Sequence, residues 1–430
     1  MITALSACSM NEDSVAQVST FLGTAGVAWT TANGDTDPLF DRPQALLLDD
    51  TGQLLVSDHR RIRRVIIRAM PGGPSIGTVQ RFVPGPNSEP AARVSQWIGG
   101  GVQGMALDPR NGNIVISDTA WSRVVVFTRD GEYVTHYGAT SGVFRDEEDM
   151  HVDGPGNLAI FYGPAGVTVD QSGNIFVAEM WNNRIRKIDT NGYVSTFAGS
   201  IKDYREGRGP NAYFQGPVGL TMDNQGNLIV ADTWNMVIRY ITPKGDTGIY
   251  ASFKDSWGFR DGESQIARIR LPQHLFFDKN TENLYFSDSD IHAVRVVNRG
   301  RKMPFPLSTE ENPLDWTIIG NKTTEQPCST RCMNRQNRLP ECCILDTEWY
   351  YCRDPECFCP HQPFVIMGRH IQTIAGHRGI PERPFFIGRG HRDGPWDLAQ
   401  FNSPRGIVVT DRDVMYVADF DNHVIRRIDR

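Results

Sequence analysis

One phrase recurs along the chain and leaves few folds open to it. Its clearest copy reads GPAGVTVD at 163–170, QSGNIFVAE at 171–179, NNRIRKID at 182–189 and GYVSTFAG at 192–199. Each stretch alternates apolar and polar residues, the period of a half-buried strand, and turn residues fill the gaps. Four short strands in roughly 40 residues make the unit of one propeller blade.

The unit begins again at Pro43 (PQALLLD, then LLVSD to Asp58) and at Gln103 (QGMALD, then IVISD to Asp118). It returns at Pro217 (PVGLTMD, LIVAD to Asp232), Pro272 (PQHLFFD, LYFSD to Asp288) and Pro404 (PRGIVVT, MYVAD to Asp419). Six copies predict six blades. The last copy stops after its third strand, and QVSTFLG at 17–23 matches YVSTFAG at 193–199. The expected fold is therefore an all-β, six-bladed β-propeller in which the N-terminal strand completes the last blade. Such closure removes the open edges of the ring.

The pattern P-x-G-[ILV]-x-[ILV]-D, then G-N-[IL]-x-V-[AS]-D, then x-x-N-x-[RV]-I-R-x-I, resembles the NHL repeat. DGPWDLAQF at 393–401 and EGRGPNAYF at 206–214 resemble the connection between repeats of that family. The resemblance covers nearly the whole chain apart from one insert, and it implies an NHL-type propeller. For function it implies little, because propellers of this type serve as adhesion modules, sensors, RNA binders and enzymes.

Three segments follow. Residues 14–300 hold the closing strand and blades 1–5, residues 301–368 form a cysteine-rich insert in blade 5, and residues 369–430 finish blade 5 and make blade 6. The insert carries Cys328, Cys332, Cys342, Cys343, Cys352, Cys357 and Cys359, and Cys8 stands alone near the start. Their spacing contains no C-x2-C pair of the kind that opens a structural zinc site. An adjacent Cys-Cys in such a run fits a disulfide scaffold of a secreted protein instead. The odd count suggests that Cys8 reaches the insert and pairs the remaining thiol. Asn321 opens an N-K-T triplet and is a candidate glycosylation site.

The net charge of −6, with no long run of one sign, argues against a main role in gripping nucleic acid or anionic lipid. No run approaches the ~20 apolar residues of a membrane span. The opening MITALSACSM is too short for a secretory signal and lacks its basic n-region, which leaves open both a mature or trimmed form and a piece of a longer polypeptide.

First strands line the central channel of a propeller. Stacking the copies gives one ring of Ala45, Gly104, Gly166, Gly219, His274 and Gly406, preceded by Gln44, Gln103, Ala165, Val218, Gln273 and Arg405. Glycine suits the first ring because backbones crowd at the axis. An amidating lyase on the same type of propeller holds zinc with histidines from several blades, whereas here His274 is alone in its ring. No catalytic residues, metal ligands or cofactor are therefore assigned, with a divalent metal as the alternative. Gln44, Gln103, Gln273, His274 and Arg405 remain candidates for binding a small polar molecule or carboxylate.

Asp58, Asp118, Glu179, Asp232, Asp288 and Asp419 recur in every blade and read as architecture, accepting turn N–H groups. Arg63, Arg186, Arg239, Arg295 and Arg426 recur likewise, Val125 breaking the series, and pairing between blades is expected. His292 and His423 hold matching turns, too few for a metal. Trp121, Trp181 and Trp234 recur in the turns of consecutive blades and are candidates for a contact surface.

The favoured function is a non-catalytic module, secreted or at the cell surface, that binds a protein or glycan partner and can be part of a larger assembly. One alternative is a small-molecule hydrolase or lyase at the channel mouth. A second is an RNA-binding propeller using Arg60, Arg61, Arg63 and Arg64.

Overall fold

The computed structural model describes residues 16–28, 37–58, 61–70, 73–83, 98–139, 151–252, 258–264, 266–298, 317–321, 343–345, 349–352, 369–376 and 389–429. Six antiparallel sheets of four principal strands follow one another around a ring. Blade 3 shows the order: Pro164–Val169 innermost, then Ile175–Glu179, Arg184–Ile188 and Tyr193–Gly199 at the rim. In blade 5 the third strand, Ala293–Asn298, pairs directly with His370–Ala375 although the insert separates them in sequence.

Closure is as the repeat predicts. Gln17–Leu22 pairs antiparallel with Val424–Asp429, with Val18 opposite Ile428 and Ser19 opposite Arg427. The first and last described strands thus share blade 6, and its third strand gains a partner.

Apolar side chains of one sheet face those of the next, so the core is divided among the six seams. Between blades 5 and 6, Tyr285, Val296 and Ile374 pack against Ile407, Met415 and Val417. Between blades 1 and 2, Leu55 and Ile62 meet Met105, Ile116 and Val125. Each such side chain contributes roughly 1.5–3 kcal/mol on burial, so every seam is a substantial interface.

Two irregularities repeat. In all six blades the register between first and second strands shifts just after the strand opens, as between Pro164 and Val167 or Pro404 and Ile407. A β-bulge there re-aims the two ring positions. A second shift falls at the buried arginine, between Ile185 and Arg186, Ile238 and Arg239, and Val294 and Arg295. In blade 2, where Val125 replaces arginine, the shift moves on to Val126 and Phe127.

A small three-stranded sheet, Thr317–Asn321, Trp349–Cys352 and Cys343–Leu345, belongs to the insert. For Asn321, Cys343 and Cys352 the backbone alone is described, and Cys343 lies opposite Cys352. Cys8, Cys328, Cys332, Cys342, Cys357 and Cys359 lie outside the described residues. So does the suggested link from Cys8 to the insert.

Candidate functional site

The recurrent carboxylates and arginines form fasteners inside each blade. All five arginines are fully buried. Arg186 donates to Glu179 at 3.1 Å, Arg239 to Asp232 at 3.1 Å, Arg295 to Asp288 at 3.1 Å and Arg426 to Asp419 at 2.8 Å. Arg63 stands 2.8 Å from Asp58. Each pair sits within one sheet, seven residues or fewer apart, which corrects the expected pairing between blades. Adjacent strands bring them together across one hairpin, so no second blade is needed.

The other end of each arginine grips the connection entering its blade. Arg426 donates to Arg392 O and Gln400 O and to Asp393, and Arg239 donates to Arg205 O, Tyr213 O and Glu206. The carboxylates accept N–H groups from the end of the same connection: Asp232 from Gln215, Glu179 from Tyr162, Asp419 from Asn402. Burial pushes Asp232 and Asp419 up to about 6, their arginine partners pulling the other way, so both are ionised at pH 7. These groups hold the fold together and are closed to a ligand.

The same pairing absorbs much of the cationic edge proposed for RNA. Arg61 and Arg63 are tied to Asp58, and Arg64 lies 3.3 Å from Asp49. Arg60 lies outside the described residues.

In blades 2, 4, 5 and 6 the turn between second and third strands is a single 3-10 turn ending in a left-handed residue. In blades 5 and 6 that residue is His292 (φ +56°) and His423 (φ +60°). Their Nδ1 atoms accept the N–H of Ser403 at 3.0 Å and of Arg42 at 3.1 Å in the next blade. Asn183 Oδ1 does the same for Gly216 at 2.9 Å. Sequence located both histidines in matching turns; their role as latches between blades needed the backbone conformation.

The turns also carry the tryptophans. Trp121, Trp181 and Trp234 are 43%, 45% and 41% exposed, on consecutive blades of one face. Each indole lies against a glycine just before a first strand: Gly99, Gly163 and Gly216, where any Cβ would strike the ring. Tyr162 packs beside Trp181 with centroids 5.0 Å apart, and Lys202 stands 5.6 Å over Trp234. Arg123 stands 4.4 Å over Trp121, so each indole is seated on backbone, flanked by a neighbouring side chain and left partly exposed. The pairing of a Gly-Pro entry with a turn tryptophan is legible at Gly163/Trp181 and Gly216/Trp234, a signal that sequence reading missed.

The ring residues surround the mouth of a channel cavity of ≈ 290 Å³, whose lining includes Gln103, Gln273 and His274 with Leu46, Met105 and Phe277. Backbone crowding explains the glycines: a Cβ on Gly166 would collide with Val218 O, and one on Gly219 with Gln273 O. His274 Nδ1 accepts the Ile407 N–H at 3.3 Å, and burial pushes its pKa down to about 4, so the imidazole is neutral at pH 7. Arg405 and Gln44 follow around the same mouth, in blades 6 and 1, where Gly406 abuts Gln44 O. Among the described residues no group of three or more His, Cys, Asp or Glu is placed to hold a metal.

The model of the NHL repeat matches residues 161–188 and 214–239, within blades 3 and 4. The chain carries NHL repeats. Its NHL propeller is 27% identical over 168 residues to NHL repeat-containing protein 2 of Homo sapiens, across 35% of this chain and 23% of that protein. It is 28% identical over 328 residues to Teneurin-3 of Danio rerio, across 66% of this chain and 12% of the relative. The chain thus spans less than a quarter of either relative. A solved structure, an auxiliary nutrient binding protein from Bacteroides ovatus, superposes with a TM-score of 0.55 at 17% identity, covering 96% of this chain and 76% of its own. That likeness is one of fold.

Proposed function

We propose that this NHL propeller is a non-catalytic binding platform, secreted or displayed at the cell surface, that presents Trp121, Trp181 and Trp234 to a protein or glycan partner. The observation that carries the reading is the seating of three half-exposed indoles on backbone glycines along one face. Rigid aromatic rings lose little conformational freedom on binding and dominate contact energies. The recurrent buried carboxylates and arginines are occupied by the fold and are closed to a partner, whereas the tryptophan face is open to solvent.

The insert at 301–368 is the second contact element, its cysteines joined in disulfides with Cys8 and Asn321 glycosylated. Reading the wild type and Trp181→Ala/Trp234→Ala against arrays of glycans and purified ectodomains tests the platform. It requires a ligand retained by the wild type and lost by the double variant at unchanged melting temperature. Ligands held equally by both would place binding elsewhere.

A further inference from the structure

Five fully buried arginines recur on the third strands, and a sixth, the partly buried Arg405 at the channel ring, makes no ion pair of their kind. Arg63, Arg186, Arg239, Arg295 and Arg426 each meet an acid within 3.1 Å. Arg405 forms no such pair among the described residues, and its buried Nε, like theirs, has no hydrogen-bond partner. The Asp421 carboxylate acts on Arg405 through space without forming an ion pair, and a partly desolvated guanidinium left without a directly bound anion favours binding one.

The surroundings are built for this arginine. Its guanidinium stacks 3.6 Å over the ring of Phe420. In blades 2, 4 and 5 the equivalent turn residue is Thr119, Thr233 or Ser289, whose hydroxyl donates to the carbonyl of Pro164, Pro272 or Pro404 in the next blade. Blade 6 forgoes that latch and gains a platform under Arg405.

Next around the ring, Gln44 has a buried Oε1 with no donor. On the other side stand His274 and Gln273, which line the channel cavity. Across the mouth the same position is Ala165 and Val218, both buried and apolar. The mouth is therefore polar and cationic on blades 5, 6 and 1, and apolar on blades 3 and 4.

We propose that the channel mouth binds a small organic carboxylate, the carboxylate held by Arg405 and the apolar body turned toward Val218. Planar guanidinium and planar carboxylate match in two parallel hydrogen bonds, and the Phe420 ring fixes the plane. Burial lowers the Arg405 pKa to about 10, which still leaves it charged at pH 7. This site stands apart from the tryptophan face and does not depend on it.

Propionate is the probe, and its neutral analogue propionamide the control, at matched ionic strength and pH 7. Wild type should bind propionate in a saturable NMR titration and gain melting temperature with it, while propionamide has no effect. Arg405→Gln should weaken propionate at least tenfold, Arg405→Lys less, and Arg208→Gln, at an exposed arginine of blade 4, should leave it unchanged. Ligand-free Arg405→Gln should melt at or above the wild type, because it removes an unpaired buried charge. Failure of propionate to bind the wild type, or equal binding by Arg405→Gln, overturns the proposal. So does Arg405→Gln melting well below the wild type with its propionate affinity intact, which would make Arg405 a structural cation.

Discussion

The amide of Thr20 donates to Asp393 Oδ2 at 3.0 Å, joining residues 373 positions apart. Asp393 also accepts the Thr20 hydroxyl at 3.1 Å and Arg426 at 2.8 Å. The same triangle occurs in blade 3 as Thr196, Asp153 and Arg186, and in blade 5 as Thr373, Asp261 and Arg295. The closing strand is thus fastened by the device that fastens rim strands within continuous blades. Asp393→Ala should cost about 2–4 kcal/mol, since one carboxylate serves three donors. Thr20→Val should cost only ~1 kcal/mol. Denaturant unfolding measures both, and Asp153→Ala should match Asp393→Ala.

Removing one partner of a buried ion pair leaves the other uncompensated. Arg426→Met should therefore cost about 3–5 kcal/mol, and Asp419→Asn/Arg426→Met should recover part of that loss. Blade 2 already lacks the arginine at this position, and there Asp118 turns to Arg123 at 3.1 Å. A double-mutant cycle in guanidinium reads the coupling.

Much of this architecture was legible in the sequence. Six copies of one phrase fix the blade count, and QVSTFLG at 17–23 reveals the closure because a strand missing at one end reappears at the other. The partner of each arginine was not legible. Sequence spacing cannot say whether Arg239 reaches Asp232 in its own sheet or an acid next door; the strand register decides it. Nor do bulges announce themselves, since one extra residue beside Gln44 or Arg405 leaves the apolar pattern intact. The distinctive quality of Arg405 emerges only when it is seen to make no ion pair within its own sheet, with Asp421 acting on it only through space.

Protonation of His274 gives a pH signature. Its pKa in the fold, about 4, lies below the ordinary value of 6.5, so the unfolded chain binds the extra proton first. The contribution of neutral His274 is fully present above pH 6.5 and is lost as pH falls toward 4. Asp232 and Asp419, raised to about 6, act in the opposite sense over much of that window. Comparison with His274→Gln cancels them. Wild type should lose up to about 3 kcal/mol relative to the variant between pH 6.5 and 4, less where channel water reaches the ring. Parallel urea titrations at four pH values check it.

At His423 the repeats predict their own substitution. Asn183 accepts the equivalent N–H from the same left-handed conformation, which asparagine tolerates. His423→Asn should be within ~0.5 kcal/mol of wild type, whereas His423→Ala should lose ~1 kcal/mol with the hydrogen bond to Arg42. Thermal melts at pH 7.5 distinguish them.

The platform reading rests on the tryptophan face rather than the channel. Its most direct test is the affinity of a retained ligand for three proteins side by side: wild type, Trp181→Ala/Trp234→Ala, and His274→Gln. Truncating a central interface tryptophan costs about 2 kcal/mol or more, near thirtyfold in affinity. The account predicts at least that loss for the tryptophan variant and no change for His274→Gln. Undiminished affinity in the tryptophan variant, with loss in His274→Gln, would contradict it and move the functional site into the channel.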